Sequence, residues 1–240
     1  MPRAVVCLPT YNERENLEPM LRALAEVLDT SRDRVLVVDD ASPDGTGELA
    51  DRLAEELPWV SVLHRERKEG LGPAYVAGFQ RALAEGAELV LEMDCDFSHD
   101  PADVPRLIEA AAEADLVLGS RYAHGGGTEG WGPLRWFVSR GGCLYAQILL
   151  GVRVRDLTGG FKCFRRSTLE AIDLGALSAR GYAFQIETTY RVLRAGLRVE
   201  EIPIRFVDRR VGQSKMTGGV FAEALWKVPA LRWRALTGRL

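Results

Sequence analysis

Four short aliphatic runs, each ending in a polar cluster, constrain this chain more than any other feature. Arg3 to Leu8 leads into Pro9-Thr10-Tyr11-Asn12-Glu13, and Arg34 to Val38 into Asp39-Asp40-Ala41-Ser42. Leu89 to Met93 leads into Asp94-Cys95-Asp96, and Leu116 to Leu118 into Gly119-Ser120-Arg121. The runs are rich in β-branched and aliphatic residues, are of strand length, and are separated by helix-length segments. That alternation predicts an α/β fold, with a mostly parallel central sheet and helices on both faces. In such a sheet ligands bind beyond the carboxyl ends of the strands, where the strand order reverses. The four clusters are therefore expected on one rim, where carboxylates, an arginine and backbone amides suit a divalent metal and a phosphorylated ligand.

The bulk of the sequence limits the alternatives. A chain of 240 residues can bury a full core, as one domain or one domain with a short extension. Its net charge of -3 argues against a general nucleic-acid binder, so no nucleic-acid partner is expected. Residues 191–240, however, carry 11 Lys+Arg against 4 Asp+Glu, which points to an anionic surface or ligand near that end. Cys7, Cys95, Cys143 and Cys163 have neither metal-ligand nor disulfide-framework spacing and are expected as reduced thiols in a cytoplasmic protein. A strand begins at once, so no signal segment is expected. No apolar run reaches the roughly 18–20 residues of a membrane-spanning helix.

Helices are predicted over Glu15–Leu28, Thr46–Leu57, Gly72–Leu83 and Asp103–Ala112, with a further strand at Val60–Leu63. The run His124 to Gly130 reads as a flexible loop, followed by an aromatic-rich helix over Leu134–Leu150. Asp156 to Phe161 is expected to return to strand, continued by Cys163-Phe164. A helix over Tyr182–Leu193, a last strand over Val199–Phe206 and a polar loop over Arg209–Gly219 follow. The tail, Val220 to Leu236, repeats Phe221, Leu225, Val228 and Leu231 at helical spacing, with Trp226, Trp233 and several basic residues. It reads as a basic amphipathic helix able to lie in a membrane interface, or alternatively to pack on the core. The expected division is one domain over 1–216 and this helix over 217–240.

Asp94-x-Asp96 at a strand end can direct two carboxylates at one ligand. Mg²⁺ or Mn²⁺ is commonly held by one or two carboxylates plus phosphate oxygens. A D-x-D is often only a solvated turn; the strand context and the preceding Asp39-Asp40 favour the metal. Ser98 is a candidate supporting hydroxyl, and His99 reads as a helix-entry residue. Tyr11 offers a ring to cover a nucleobase and Glu13 an acceptor for base or ribose, although Asn12 and Glu15 also fit a capped helix start. Asp40 suits ribose or base, or is the turn acid before Ser42-Pro43-Asp44-Gly45. Arg121 has the planar fork that suits phosphate. Arg135 and Arg140, and later Arg209, Arg210 and Lys215, lie in or beside glycine-rich segments that suit a phosphate clamp, though each alone reads as a solvated charge.

Taken in order, these motifs carry a resemblance. Leu8 to Glu13, Val38 to Thr46, Gly70-Leu71-Gly72-Pro73-Ala74-Tyr75, Glu92 to His99 and Gly119 to Tyr122 resemble the family-2 glycosyltransferases of GT-A nucleotide-diphospho-sugar transferase fold. Within these they look most like the dolichol/polyprenol-phosphate mannose synthases. Gly130-Trp131-Gly132, Ser139-Arg140-Gly141, Asp156 to Phe161 and Gly212-Gln213-Ser214-Lys215 extend the match to about residues 4–216. The resemblance implies a GDP-mannose donor, a dolichyl or polyprenyl phosphate acceptor, a divalent metal and inversion at the sugar carbon. It implies Pro9, Tyr11, Glu13, Asp40, Gly72 and Asp94 on the donor nucleotide, and Asp94 and Asp96 on the metal. Asp96 and Arg121 become the catalytic pair, and Arg121, Arg135, Arg140, Arg209 and Lys215 the phosphate and acceptor set. Some members carry C-terminal membrane spans and this chain has none, which leaves peripheral contact at the cytoplasmic membrane face or a membrane-anchoring subunit. Ser98 stands where some members have Gln near the metal.

The implied chemistry is sparing in catalytic groups. A phosphate monoester has a second pKa of about 6, is largely dianionic at neutral pH, and can attack without a strong base. The sequence accordingly offers arginines and a metal pair but no Ser-His-Asp or Cys-His set. Three rivals remain. A phospho-acceptor signalling domain would use Asp39-Asp40 and Asp94, but it leaves Asp96 unexplained. A related transferase could use UDP-glucose or a hydroxyl acceptor, with Asp156 as the general base that a hydroxyl requires. A dead binding module is disfavoured by intact Asp94, Asp96 and Arg121.

Overall fold

The computed structural model describes residues 3–177, 179, 181–208, 218–238 and 240, with the side chains of 182 and 218–224 set aside. Four parallel strands come first: β1 (Ala4–Thr10), β2 (Arg34–Asp39), β3 (Val60–His64) and β4 (Leu89–Glu92). Helices α1 (Arg14–Ala25), α2 (Thr46–Glu56) and α3 (Leu71–Ala84) connect them. After α4 (Val104–Ala110), β5 (Leu116–Ser120) closes the expected β-α alternation. Residue period two in β1 explains the two-sided core. Val5 and Cys7 face one layer, with Tyr75, Phe79 and Phe184; Ala4, Val6 and Leu8 face the other, with Leu17, Leu21 and Leu91.

The seven-stranded sheet has the order β3-β2-β1-β4-β7-β5-β8. The order reverses between β1 and β4, so a crevice opens beyond their carboxyl ends. In β7 (Lys162–Arg165) the chain runs antiparallel to both neighbours, pairing Leu91 with Cys163 on one side and Val117 with Cys163 on the other. It thereby separates β4 from β5.

Several expectations are corrected here. Asp156 to Phe161 is not strand; the strand starts at Lys162, and a short α6 (Arg166–Ala171), absent from the sequence reading, follows it. The predicted last strand divides into β8 (Val199–Pro203) at the sheet edge and β9 (Arg205–Val207). The glycine-rich segment read as a flexible loop contains β6 (Gly127–Glu129), which pairs with β9 in parallel as a second, two-stranded sheet. Its main-chain groups are thus satisfied by a partner almost eighty residues away, a pairing that local composition does not signal.

Helices α5 (Pro133–Leu150), α7 (Tyr182–Arg194) and α8 (Gly218–Leu236) pack together on one face. The apolar stripe of α8 faces inward: Val228 and Leu231 are buried in the core. Arg232 donates to the Leu150 carbonyl oxygen at 3.2 Å. The expected membrane-facing stripe is therefore in part a core-facing one, while the side chain of Phe221 lies outside the described residues. What α8 turns outward is also apolar, including Trp226 and Trp233. On α5 an exposed stripe of Leu134, Phe137, Leu144 and Ile148 lies opposite buried Cys143, Ala146 and Leu150. Most of the exposed large apolar side chains among the described residues belong to these two helices. No helix among the described residues is long and apolar enough to cross a membrane.

Candidate active site

A pocket of about 420 Å³ opens at the reversal point. That is within the usual range for a small-molecule site. Loops after β1, β2 and β4 form one end, and residues following β5, α5's first turn and β9 form the other.

The rim is built under strain. Asn12, Ala41 and Phe97, one in each loop after β1, β2 and β4, have φ of 57°, 58° and 61°. Non-glycine residues rarely adopt this left-handed region, and such positions gather at functional sites. Each lets its strand end turn sharply and aim the adjoining acid at the crevice.

At the end formed by the loops after β1 and β2, Pro9, Tyr11, Glu13 and Asp40 all line the pocket. Glu13 is buried and accepts from Asn16 Nδ2 at 2.7 Å. Asp40 is paired with Arg65, and it accepts from the amides of Glu69 and Gly70 at 3.2 and 3.0 Å. These bonds anchor the glycine-rich turn that opens α3. Lys68, missed in the sequence reading, also lines the pocket, with its ammonium 3.6 Å from the Tyr11 ring centre. Gly72 does not line the pocket, whereas Gly70 and Leu71 do. A Cβ at Gly72 would come within 2.5 Å of the Ala179 carbonyl oxygen, so its role here is close packing of α3 on the segment before α7.

In the middle, Asp94 and Asp96 both line the pocket on the turn after β4. Asp94 Oδ1 accepts from the Tyr75 hydroxyl at 3.3 Å, and Asp96 Oδ1 from the Ser98 amide at 3.1 Å. His99 is not merely a helix-entry residue. Its Nδ1 accepts from the Asp94 amide at 3.1 Å, and its ring stacks on Phe161 with centres 4.8 Å apart. Burial pushes its pKa down to about 4, so the ring is neutral and pins the acidic turn from inside. Two hard carboxylates with room for phosphate oxygens fit Mg²⁺ or Mn²⁺. Among the described residues no cluster of three or more His, Cys, Asp or Glu forms a metal cage.

At the far end stands Arg121, 7 % exposed. Its Nε and Nη2 donate to Asp156 at 2.8 and 2.6 Å, and Nη2 also to Thr158 Oγ1 at 2.8 Å. The Arg121 amide donates to the same carboxylate at 2.9 Å. Burial alone would raise the Asp156 pKa, but the guanidinium outweighs it and holds the carboxyl below its ordinary value. Asp156 is thus committed to Arg121 and unsuited to the role of general base. Aromatic faces of Tyr122, Trp131 and Phe206 surround the guanidinium at 5.3–5.5 Å. Arg135 lines the pocket over Trp131 and pairs with Asp208 at 2.8 Å. Arg140 is outside the lining; it donates to the Arg155 carbonyl oxygen at 3.3 Å and lies over Tyr122. Arg209, Arg210 and Lys215 lie outside the described residues.

The floor includes Gly159, Gly160 and Gln185. Beneath it Glu92 and Lys162, both fully buried, stand 3.9 Å apart. Burial raises the Glu92 pKa to about 7 and lowers that of Lys162 to about 8, each partly opposed by the other's charge. The sequence reading missed both Gln185 and Lys162.

Residues 5–173 match the family described as glycosyl transferase family 2. The undecaprenyl-phosphate mannosyltransferase of Micrococcus luteus is 48% identical over 99% of both chains. The polyprenol monophosphomannose synthase of Mycolicibacterium smegmatis is 45% identical over 99% of this chain and 89% of its own. Among solved structures, glucosyl-3-phosphoglycerate synthase from Mycobacterium tuberculosis in complex with Mn²⁺ and UDP-glucose superposes with a TM-score of 0.68. At 20% identity, covering 99% of this chain and 79% of that one, this likeness establishes a GT-A-like α/β fold.

Proposed function

This chain belongs to glycosyl transferase family 2, and we propose that within it the protein moves mannose from GDP-mannose to a polyprenyl or dolichyl phosphate, with inversion at the sugar carbon. The two whole-length relatives named above support the mannosyl group and the lipid phosphate. The observation that carries the reading is the make-up of the pocket. An acidic pair and a nucleotide-sized end face buried or half-buried arginines, and the acids beside those arginines are engaged, Asp156 with Arg121 and Asp208 with Arg135. A hydroxyl acceptor would need a base there; a phosphate acceptor needs none.

Tyr11, Glu13, Asp40 and the Gly70-Leu71 turn take the nucleoside, with Lys68 at its mouth. Asp94 and Asp96 would hold Mg²⁺ or Mn²⁺, which when bound neutralises charge on the departing diphosphate. Arg121, with Nε and Nη2 fixed by Asp156 and Thr158, offers Nη1 to the acceptor phosphate, and Arg135 adds a second cation. One phosphate oxygen attacks the anomeric carbon as the bond to the diphosphate breaks. The protein's part is positioning and fixed charge.

A donor panel with a short polyprenyl phosphate tests the reading. GDP-mannose is expected to turn over and UDP-glucose to lag by at least tenfold, with activity lost in EDTA and restored by Mg²⁺ or Mn²⁺. Preference for UDP-glucose, or transfer to a free hydroxyl at a similar rate, would replace this assignment.

The lipid acceptor also requires access to a bilayer, and the outward apolar faces of α5 and α8 are suited to it. Trp rings favour the membrane-water boundary, and Arg234 and Lys227 add positive charge beside them. Because Val228 and Leu231 are core residues, deleting α8 would unfold the protein as well as detach it; outward substitutions are the cleaner probe. Phe137→Ser with Trp226→Ser and Trp233→Ser is expected to lower flotation with anionic vesicles at least tenfold, leaving GDP-mannose binding unchanged. Flotation equal to wild type would move the contact elsewhere, and a lysate-dependent rescue would favour an anchoring subunit.

A further inference from the structure

His99 has two ring nitrogens, and the fold employs only one of them. Nδ1 accepts from the Asp94 amide at 3.1 Å. A backbone N–H can only donate, so Nδ1 carries no proton and the ring holds its proton on Nε2. The main chain thus fixes a tautomer that is otherwise ambiguous for a histidine. The Nε2–H has no hydrogen-bond partner among the described residues. The ring is held in place by its neighbours: Phe161 stacks on it, and Phe206 stands nearly perpendicular with ring centres 5.5 Å apart.

The imidazole is mostly buried but lines the pocket. Among the described residues, the unpartnered side-chain nitrogens and oxygens that are fully covered belong to Glu92, Ser98, Trp131, Arg135 and Gln185. His99 Nε2 is not one of them, so it keeps an opening while lacking a partner. Cε1, the carbon bonded to Nε2, lies 4.0 Å from where a Cβ on Gly160 would stand, and Gly160 lines the pocket floor. The ring is also within electrostatic reach of both Asp96 and Arg121. On the sugar-nucleotide reading, the stretch from the acidic turn to the Arg121 corner runs from diphosphate to acceptor phosphate, and the hexose lies along it. A phosphate is matched by charge, which Arg121 and Arg135 supply. A neutral N–H framed by aromatic rings suits a neutral acceptor, a sugar hydroxyl.

We propose that His99 is a sugar-specificity residue, its Nε2–H donating a hydrogen bond to one hydroxyl oxygen of the donor's hexose while Nδ1 holds the Asp94 turn. The inference rests on the sugar-nucleotide reading of the pocket. A nearly buried donor without a partner is costly, and a correctly placed hydroxyl relieves that cost. A site built this way rejects a sugar that lacks the hydroxyl far more strongly than an apolar wall would.

The test compares wild type with His99→Asn, whose amide oxygen can still accept from the Asp94 amide but which has no donor at the Nε2 position. His99→Asn is expected to lower kcat/KM for GDP-mannose about tenfold to a hundredfold, with GDP affinity in Mg²⁺ held within about twofold. Across a set of monodeoxy-mannose donors, one analogue should lose a similar factor in wild type and lose nothing further in His99→Asn. Equal losses for GDP and GDP-mannose would reduce the residue to a support for the acidic turn, and a deoxy penalty that persists undiminished in His99→Asn equally overturns the proposal. If His99→Asn does not fold, ¹⁵N-histidine spectra of a protein carrying His64→Gln and His124→Gln, both exposed positions, decide the matter with His99 intact. GDP-mannose should then shift the Nε2–H signal and GDP should not; a proton found on Nδ1, or the same response to both nucleotides, overturns the proposal. The same measurements apply to whichever sugar nucleotide the donor panel selects, so failure of the mannose assignment is read separately.

Discussion

Asp96→Asn is expected to reduce turnover by about 10³-fold or more while the fold persists. The substitution keeps the side chain's shape and its bond from the Ser98 amide but removes the charge that faces the departing diphosphate. Loss of a single preorganised electrostatic group at a reacting centre costs about 10²–10³ in rate, and on the proposed reading a metal ligand would be lost with it. Steady-state kinetics across a Mg²⁺ and Mn²⁺ titration, beside a thermal melt, separate the effects. The expected pattern is an unchanged melt, a collapsed kcat and a rate no longer responsive to metal. Wild-type rates for Asp96→Asn in excess EDTA would remove both the residue and the metal from the mechanism.

Asp156→Ala is expected to be the most destabilising single change in the site. Arg121 and Asp156 form a buried, bidentate pair, and removing one partner leaves the other charge buried alone, at a cost of about 3–5 kcal/mol. For a chain of this size that lowers the melting temperature by about 10 °C. The sign of the pH dependence follows from the Asp156 carboxyl titrating below its ordinary value. Its contribution is complete above the ordinary carboxylate range and is lost only as pH falls through the depressed pKa. Wild type should therefore lose this stability in acid and Asp156→Ala should not, so the two melts converge at low pH. Arg121→Met with Asp156→Leu should recover much of the stability and none of the activity. If Asp156→Ala melts with wild type at neutral pH, the pair is not a buried anchor.

These two expectations also mark how far the sequence alone was legible. Asp94 and Asp96 could be read because they end an aliphatic run, and strand ends in a parallel sheet share a rim. Arg121 was read the same way, but its partner was not: Asp156 is 35 residues away, in a stretch read as strand, and nothing local links them. Lys162 and Gln185 carry even less signal, since a buried lysine in a four-residue strand resembles any surface lysine. The α8 stripe shows the complementary limit. Spacing identifies an apolar face but not what it faces, and Val228 and Leu231 face the core. Insertion of β7 between β4 and β5 was hidden because connection order suggests neighbours that the sheet does not honour.

That insertion has a consequence for how the chain is made. β1 to β4 can pair as soon as residue 92 has emerged. β5 then has no partner in the sheet until Lys162–Arg165 and Val199–Pro203 arrive to flank it. Between the synthesis of Ser120 and that of Lys162 the growing protein carries two unsatisfied edges, one on β4 and one on β5, of the kind that invites pairing with other chains. The half of the pocket built on β1, β2 and β4 can thus assemble from the first part of the chain, whereas Arg121 gains its carboxylate only once Asp156 has been made.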